Sequence, residues 1–333
     1  MSVPPHMYSF AARHKRFFKL KECLAENDQA FCSGQVVRAH IVSRSQLSQI
    51  ARNGHVLAVP NETIAVMKMH RTGFEATEVG IGDFSTLNCF CAAHDKRLFA
   101  PVEDVPLTFS PEQLALLHYR AMIAEFYQRR SQSDSALSEL EEDFDDPRKF
   151  RFAWIFEASL DAIDHLNRPL NRMRQLLASR NFGAVASLIV RFDNPPAVMA
   201  AGVFRPHYDF AARRVQKMID RCSYVGMHLL SAEGQAAMAF TWLRRDTVAE
   251  GFVRTFASRP HEQLASLAVQ CAFEHIEHTC MSHTWWHGLR QPMKAALLEC
   301  VRRANSLSYR RSPRCLSYRL HYASWPVVTL NFF

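Results

Sequence analysis

The chain has 333 residues, 48% of them hydrophobic, and a mean hydropathy of −0.16, which excludes a disordered or fibrous protein and suits a packed globular one of two domains. No run of about 18 apolar residues occurs, and residues 1–21 lack an apolar core of signal length, so the sequence predicts a cytoplasmic protein without a membrane span. The net charge is +8, and residues 151–333 alone hold 23 basic against 13 acidic residues, a field that attracts polyanions and predicts DNA as a partner.

The nine cysteines, odd in number and widely spread, suit reduced thiols and a metal site better than a disulfide framework. Near the N-terminus, Arg13 to Arg16 with Lys19 and Lys21 surround Phe17 and Phe18, read as an amphipathic lead-in that packs its rings on the following module. Gln35 to Val42 forms a short apolar strand with Cys32 at its head and His40 near its far end. Ser43 and Gln46 make a capping-box pattern for a short helix with Leu47 and Ile50, closed by Gly54. Two more strands follow, His55 to Val59 and the alternating run 64–69.

Asn88-Cys-Phe-Cys-Ala-Ala-His94-Asp95 is the densest ligand-bearing stretch. Cys91 and His94, three apart, leave one face of a helix about 5–6 Å from each other, near the spacing of two ligands on one tetrahedral zinc. With Cys32 and His40 as a second pair, the residues predict a structural zinc held by Cys32, His40, Cys91 and His94, with Cys89 as a substitute ligand. A knuckle, a strand carrying His and a helix opened by Cys-x-x-His is the order of a treble-clef site.

Beyond residue 108, Ser110-Pro-Glu-Gln113 opens a buried helix with Leu114, Leu117, Ala121 and Ala124 along one face. The Ser-rich, acidic stretch 128–147 reads as a solvated linker or helix end. Residues 150–180 are again helical, with a break at Pro169. Apolar runs at 184–192, 197–204, 225–230 and 236–243 predict an antiparallel sheet of two hairpins, the first turning at 193–196. Helices are predicted at 246–256, 261–280 and 291–304. His275, His278, Cys280, His283 and His287 have ligand types at ligand spacings, but read as a polar helix edge beside Trp285 and Trp286.

The segment from about Cys32 to Glu103 resembles the H-N-H (ββα-metal) endonuclease group, notably its divergent bacterial members. They pair an Ala/Ser-His-Ser-Ile-like strand with a Phe-Cys-x-x-His-Asp helix. Here the elements read Ala39-His40-Ile41-Val42-Ser43, Ile81 to Thr86, Phe90-Cys91-Ala-Ala-His94-Asp95, Leu98-Phe99 and Val102-Glu103, about a quarter of the chain. The resemblance implies His40 as general base, Asp95 as ligand for a catalytic Mg²⁺ or Mn²⁺, and Asn88 as the residue that orients the base. It then implies a zinc held by Cys32, Cys91, His94 and an outside ligand such as Cys23 or Cys89. Two departures stand out: Gln29 replaces a knuckle cysteine, and Ala39 replaces the Asp or His that commonly binds the catalytic metal.

The expected fold is thus α+β: an N-terminal treble-clef, ββα-metal-like zinc module (1–108), a helical connector with an acidic linker (109–150), and a C-terminal domain of antiparallel sheet and helices (151–333). The expected function is a metal-dependent DNA endonuclease or nickase, which the resemblance places in a bacterial antiphage or mobile-element system with a protein partner. The alternative is a non-catalytic zinc-stabilised module that binds nucleic acid or protein.

Overall fold

The structure is a computed structural model that describes residues 12–25, 31–60, 73–142, 148–217, 222–305 and 311–333. In the N-terminal part, β1 (Val36–His40), α1 (Arg44–Ser48), β2 (His55–Ala58), β3 (Thr77–Gly80), β4 (Thr86–Cys91) and α2 (Ala92–Glu103) follow one another. The strand expected at 64–69 lies outside the described residues. Ser43 caps α1 by accepting from Gln46 N. The Gln46 amide does not complete a reciprocal box. It reaches the central sheet instead, donating to Ser231 O at 2.9 Å and accepting from Ser231 N at 2.7 Å. Gly54 sits in the Arg52 to His55 turn at φ 74°, beyond the end of α1.

Two long helices come next, α3 (Pro111–Glu141) and α4 (Arg148–Ala178). Ser110 caps α3 with a full capping box to Gln113 and Pro111 in the first turn. From Gln113 to Ala124 every residue of α3 is buried, as befits a helix packed on all sides. The stretch from 128 is not a solvated linker as far as Glu141. It continues α3, because Ser131, Ser133, Ser135 and Ala136 are small enough to let another element lie against them. Pro169 does not break α4 either. A proline inside a helix costs about 3 kcal/mol, but Leu166, Leu170, Met173 and Leu176 are buried against α3, and that packing outweighs the lost bond.

The central element is an eight-stranded antiparallel sheet of order β10-β5-β8-β7-β6-β9-β2-β3. Its strands are β5 (Val185–Phe192), β6 (Val198–Phe204), β7 (Val225–Ala232), β8 (Gln235–Leu243), β9 (Thr279–Met281) and β10 (Val327–Phe332), joined by β2 and β3. A second, two-stranded sheet pairs β1 with β4. Both faces of the large sheet are apolar. Leu188, Val190, Leu229, Met238 and Phe240 face one core with α5 (Thr247–Ala257), α6 (His261–His275) and α8 (Gln291–Ala304). Ile189, Met199, Ala201, Leu230 and Ala239 face another with α3. The short helix α7 (His283–Gly288) follows β9.

Two expectations for this half are corrected. Residues 193–196 do not turn a hairpin: β5 pairs with β8 and β6 with β7, so the β7–β8 hairpin lies between them. Pro195 and Pro196 have no N–H for a hairpin ladder, and the chain crosses the sheet end instead. The helix at 261 stops at His275, because Thr279 to Met281 is drawn out as β9 and pairs with β6 on one side and β2 on the other. That short strand ties the N-terminal β2 and β3 into the sheet of the C-terminal half. No described helix is long and apolar enough to cross a membrane.

Candidate metal centre

β1 and β4 pair antiparallel with Val36 opposite Cys91 and His40 opposite Thr86, and β4 runs straight into α2. The junction residue Cys91 takes the N-cap position of α2, its Sγ accepting from His94 N at 3.4 Å in place of the usual Ser or Asp. This cap geometry puts His94 Nδ1 3.4 Å from Cys91 Sγ. Cys23 arrives from upstream. Residues 22–24 lie alongside β4, with Glu22 N donating to Asn88 O and Leu24 N to Cys89 O; the Tyr127 hydroxyl of α3 reaches the carbonyls of Phe18 and Leu20 just upstream, and Arg174 of α4 donates to that of Leu24. Cys23 Sγ is thereby set 3.2 Å from His94 Nδ1, and Cys32 Sγ lies 3.8 Å from Cys91 Sγ.

The four ligand atoms of Cys23, Cys32, Cys91 and His94 lie within 4.8 Å of one another. A tetrahedral ion with bonds of about 2.3 Å to sulfur and 2.0–2.1 Å to nitrogen separates its ligand atoms by about 3.5–3.8 Å, so the observed spacings fit. The cluster can hold a metal ion. Its donors are polarised for this: burial alone would raise the Cys91 thiol, but the N–H of His94 and the N–H and hydroxyl of Ser33 donate to the sulfur and hold it down to about 5. Cys23, desolvated beside that sulfur, is pushed up to about 11, so the metal-free pair keeps one proton that a bound cation displaces.

Cys89 stands apart from the cluster, buried in the core with Phe90 and Phe99, and its thiol is pushed up by desolvation. His40 also stands apart. Its Nε2 donates to Ile81 O at 2.9 Å, so its ring is not turned to the four ligands. Asn88 lies beside Lys19 O at 3.3 Å and does not contact His40. The carbonyl of Ile81, in the turn before β4, is what fixes the His40 ring.

Asp95, in the first turn of α2, is half-buried near Arg120 and Glu103. Burial lifts its carboxyl to about 6 against the attraction of Arg120, and its Oδ1 is buried with no hydrogen-bond partner. The Arg120 guanidinium stacks 3.8 Å over the Phe99 ring and donates to Glu103 Oε1 at 2.7 Å, leaving Nε and Nη1 buried without partners. Glu103 and Arg120 also act on His40, whose own proton affinity is lowered mainly by burial. Sequence reasoning missed Arg120, and the signal was there: an arginine inside the apolar run of α3 must meet a carboxylate or a ring.

No family model, curated protein or solved structure matches this chain. The C-terminal histidines do not form a second centre. Among the described residues the Cys23, Cys32, Cys91, His94 group is the one cluster of converging ligands, and His283 instead pairs with Glu78 at 2.8 Å.

Proposed function

We propose that residues 23–103 form a treble-clef zinc module of the ββα-metal kind, and that His40 and Asp95 serve the hydrolysis or nicking of phosphodiester bonds in DNA. The observation that carries this reading is the pinned tautomer of His40. A ring whose Nε2–H donates to Ile81 O, and whose proton affinity is lowered by burial, is neutral at physiological pH and keeps its lone pair on Nδ1. An oriented imidazole with a free lone pair is what removing a proton from an attacking water requires.

Cys23, Cys32, Cys91 and His94 would hold a structural zinc, which would tie the start of α2, and Asp95 with it, to the chain ahead of β1. Asp95 is the residue that would hold a Mg²⁺ or Mn²⁺ ion, whose chemistry there is to offset charge on the phosphate. Arg120 keeps that carboxylate's field partly neutralised and bonds Glu103.

A second reading, a non-catalytic zinc-stabilised module that binds DNA or a protein partner, is favoured by Ala39, fully buried where the group commonly places a ligand, and by the lack of a second converging ligand group among the described residues. Incubating plasmid with the protein and Mg²⁺ or Mn²⁺ separates the two. The hydrolytic reading expects cleavage that His40→Ala and Asp95→Ala abolish with zinc content unchanged. Intact plasmid with wild type rejects it.

A further inference from the structure

The end of β6 and the C-terminus of α6 abut far from the zinc module in sequence. Phe204, the last residue of β6, stacks on His275, the last of α6, with ring centroids 4.3 Å apart. Arg205 and His207 follow at alternate positions of an extended chain that folds back: His207 O accepts from Val215 N at 3.0 Å, and Tyr208 bridges Arg214. The turn of this hairpin is rigid. Phe210 is buried against Phe252 and Phe256 with its N–H on Thr255 Oγ1, and Asp209 is consumed inside it by the N–H groups of Ala211 and Arg213 and by Arg213 Nε. From the opposite side Arg311 donates through Nη1 to His275 Nδ1 at 2.6 Å.

Three arginines therefore gather at one junction. Arg311 has the buried Glu274 carboxylate at 3.6 Å, and Arg205 donates to Cys222 Sγ at 3.0 Å and has Asp161 at 3.9 Å. Arg214 donates to Gln216 O at 3.4 Å, with no carboxylate in bridging range among the described residues. Burial, and after it the charges of Arg311, Arg205 and Arg214, lower His207 to about 4. His275 adds a donor. Since Arg311 can only donate, Nδ1 of the neutral ring accepts, the proton resides on Nε2, and that N–H is buried with no acceptor. Three cations that share two carboxylates, beside a buried, unanswered N–H, leave room for a further anion.

We propose that this junction is a phosphate-binding site, with Arg205, Arg214 and Arg311 supplying charge and His207 and the Nε2–H of His275 supplying neutral donors. A phosphate group fits because it offers several acceptor oxygens to donors arriving from different elements, where a single carboxylate would answer fewer. The site shares no residue with the His40 and Asp95 group and does not rest on the hydrolytic reading.

The test uses the full chain without added divalent ions, titrated separately with labelled duplex DNA and with inorganic pyrophosphate. Arg214→Gln is expected to weaken binding of the responding probe about tenfold at roughly 0.1 M salt, and for DNA to reduce the slope against log salt by about one. Arg180→Gln, which removes the same charge from an exposed residue between α4 and β5, is expected to leave binding unchanged. A response with DNA identifies a nucleic-acid backbone as the source of the phosphate, and a response with pyrophosphate alone identifies a free phosphate compound. As a second readout, the bound probe is expected to shift the His275 Nε2–H resonance. Binding of neither probe, or equal weakening by the two variants with no shift at His275, overturns the site.

Discussion

His40 Nε2 lies 2.9 Å from the carbonyl oxygen of Ile81, across forty-one residues of sequence. This bond chooses the tautomer of the ring, and burial, acting against the pull of that carbonyl, lowers its proton affinity and keeps it neutral. In the hydrolytic reading a base lowered in the folded enzyme stays active below the ordinary histidine value of about 6.5, and activity falls only as the pH drops further. A pH–rate profile whose acid limb lies at or above that value contradicts the assignment of His40 as base.

Cys23 takes the Cys91 N–H on its sulfur at 3.3 Å, whereas Cys89 is buried in the core, and the two have opposite prospects. Cys23→Ser is expected to lower bound zinc from about one per chain to well below it and to loosen the contact between residues 22–24 and β4, because a structural ion's binding energy is folding energy. Cys89→Ser leaves the metal in place. Elemental analysis of the two purified variants checks both, and equal zinc in the two sinks the ligand set.

Gly226 of β7 faces α3 where no side chain can follow. A Cβ there meets Thr241 Oγ1 at 2.3 Å and His118 Nδ1 at 2.8 Å. Since that hydroxyl is fixed by both His118 and His228, Gly226→Ala is expected to cost about 1–3 kcal/mol or more. Gly251 on the exposed side of α5 has nothing near its missing Cβ, and Gly251→Ala is expected to stabilise by roughly 0.5–1 kcal/mol. Denaturant midpoints that move alike for the two would refute the packing account.

His118 and His228 share the Thr241 hydroxyl inside the core, and both are held neutral by desolvation, at about 4 and about 3. Mutual repulsion and Arg120 lower His228 further. The unfolded chain takes up these protons near 6.5, whereas the folded one does not until about 4. Their contribution is therefore complete above 6.5 and is lost as the pH falls through that window, at about 1.4 kcal/mol for each unit of depression. Imidazole nitrogen shifts recorded near pH 5 are expected to report two neutral rings. Two protonated rings at that pH would falsify this.

Much of the local grammar was legible in the sequence. Ser110-Pro-Glu-Gln113 opened α3 because capping chemistry is local, and the Cys-x-x-His pair was visible because one helical turn enforces its spacing. Cys23 had no such partner nearby in sequence. Its place depends on backbone bonds to Asn88 and Cys89 and on side chains from α3 and α4, information spread over most of the chain. The same holds for β9, whose residues read as a helix end until two separate strands claim their backbone. Pro169 shows the converse error, a local rule overruled by the burial of Leu166 and Leu170.

The pairing of β2 with β9, Leu57 against Met281, fixes an order of events during synthesis. All four candidate metal ligands leave the ribosome with the first third of the chain, and Tyr127 and Arg174, which hold the Cys23 segment in place, follow well before β9. Val56, Leu57 and Ala58, buried in the finished protein, must wait for β9 near the other end of the chain. A product cut short by an early stop codon before Thr279 therefore holds the whole ligand group and still presents an unpaired, apolar strand edge, the kind of surface that chaperones and proteases recognise.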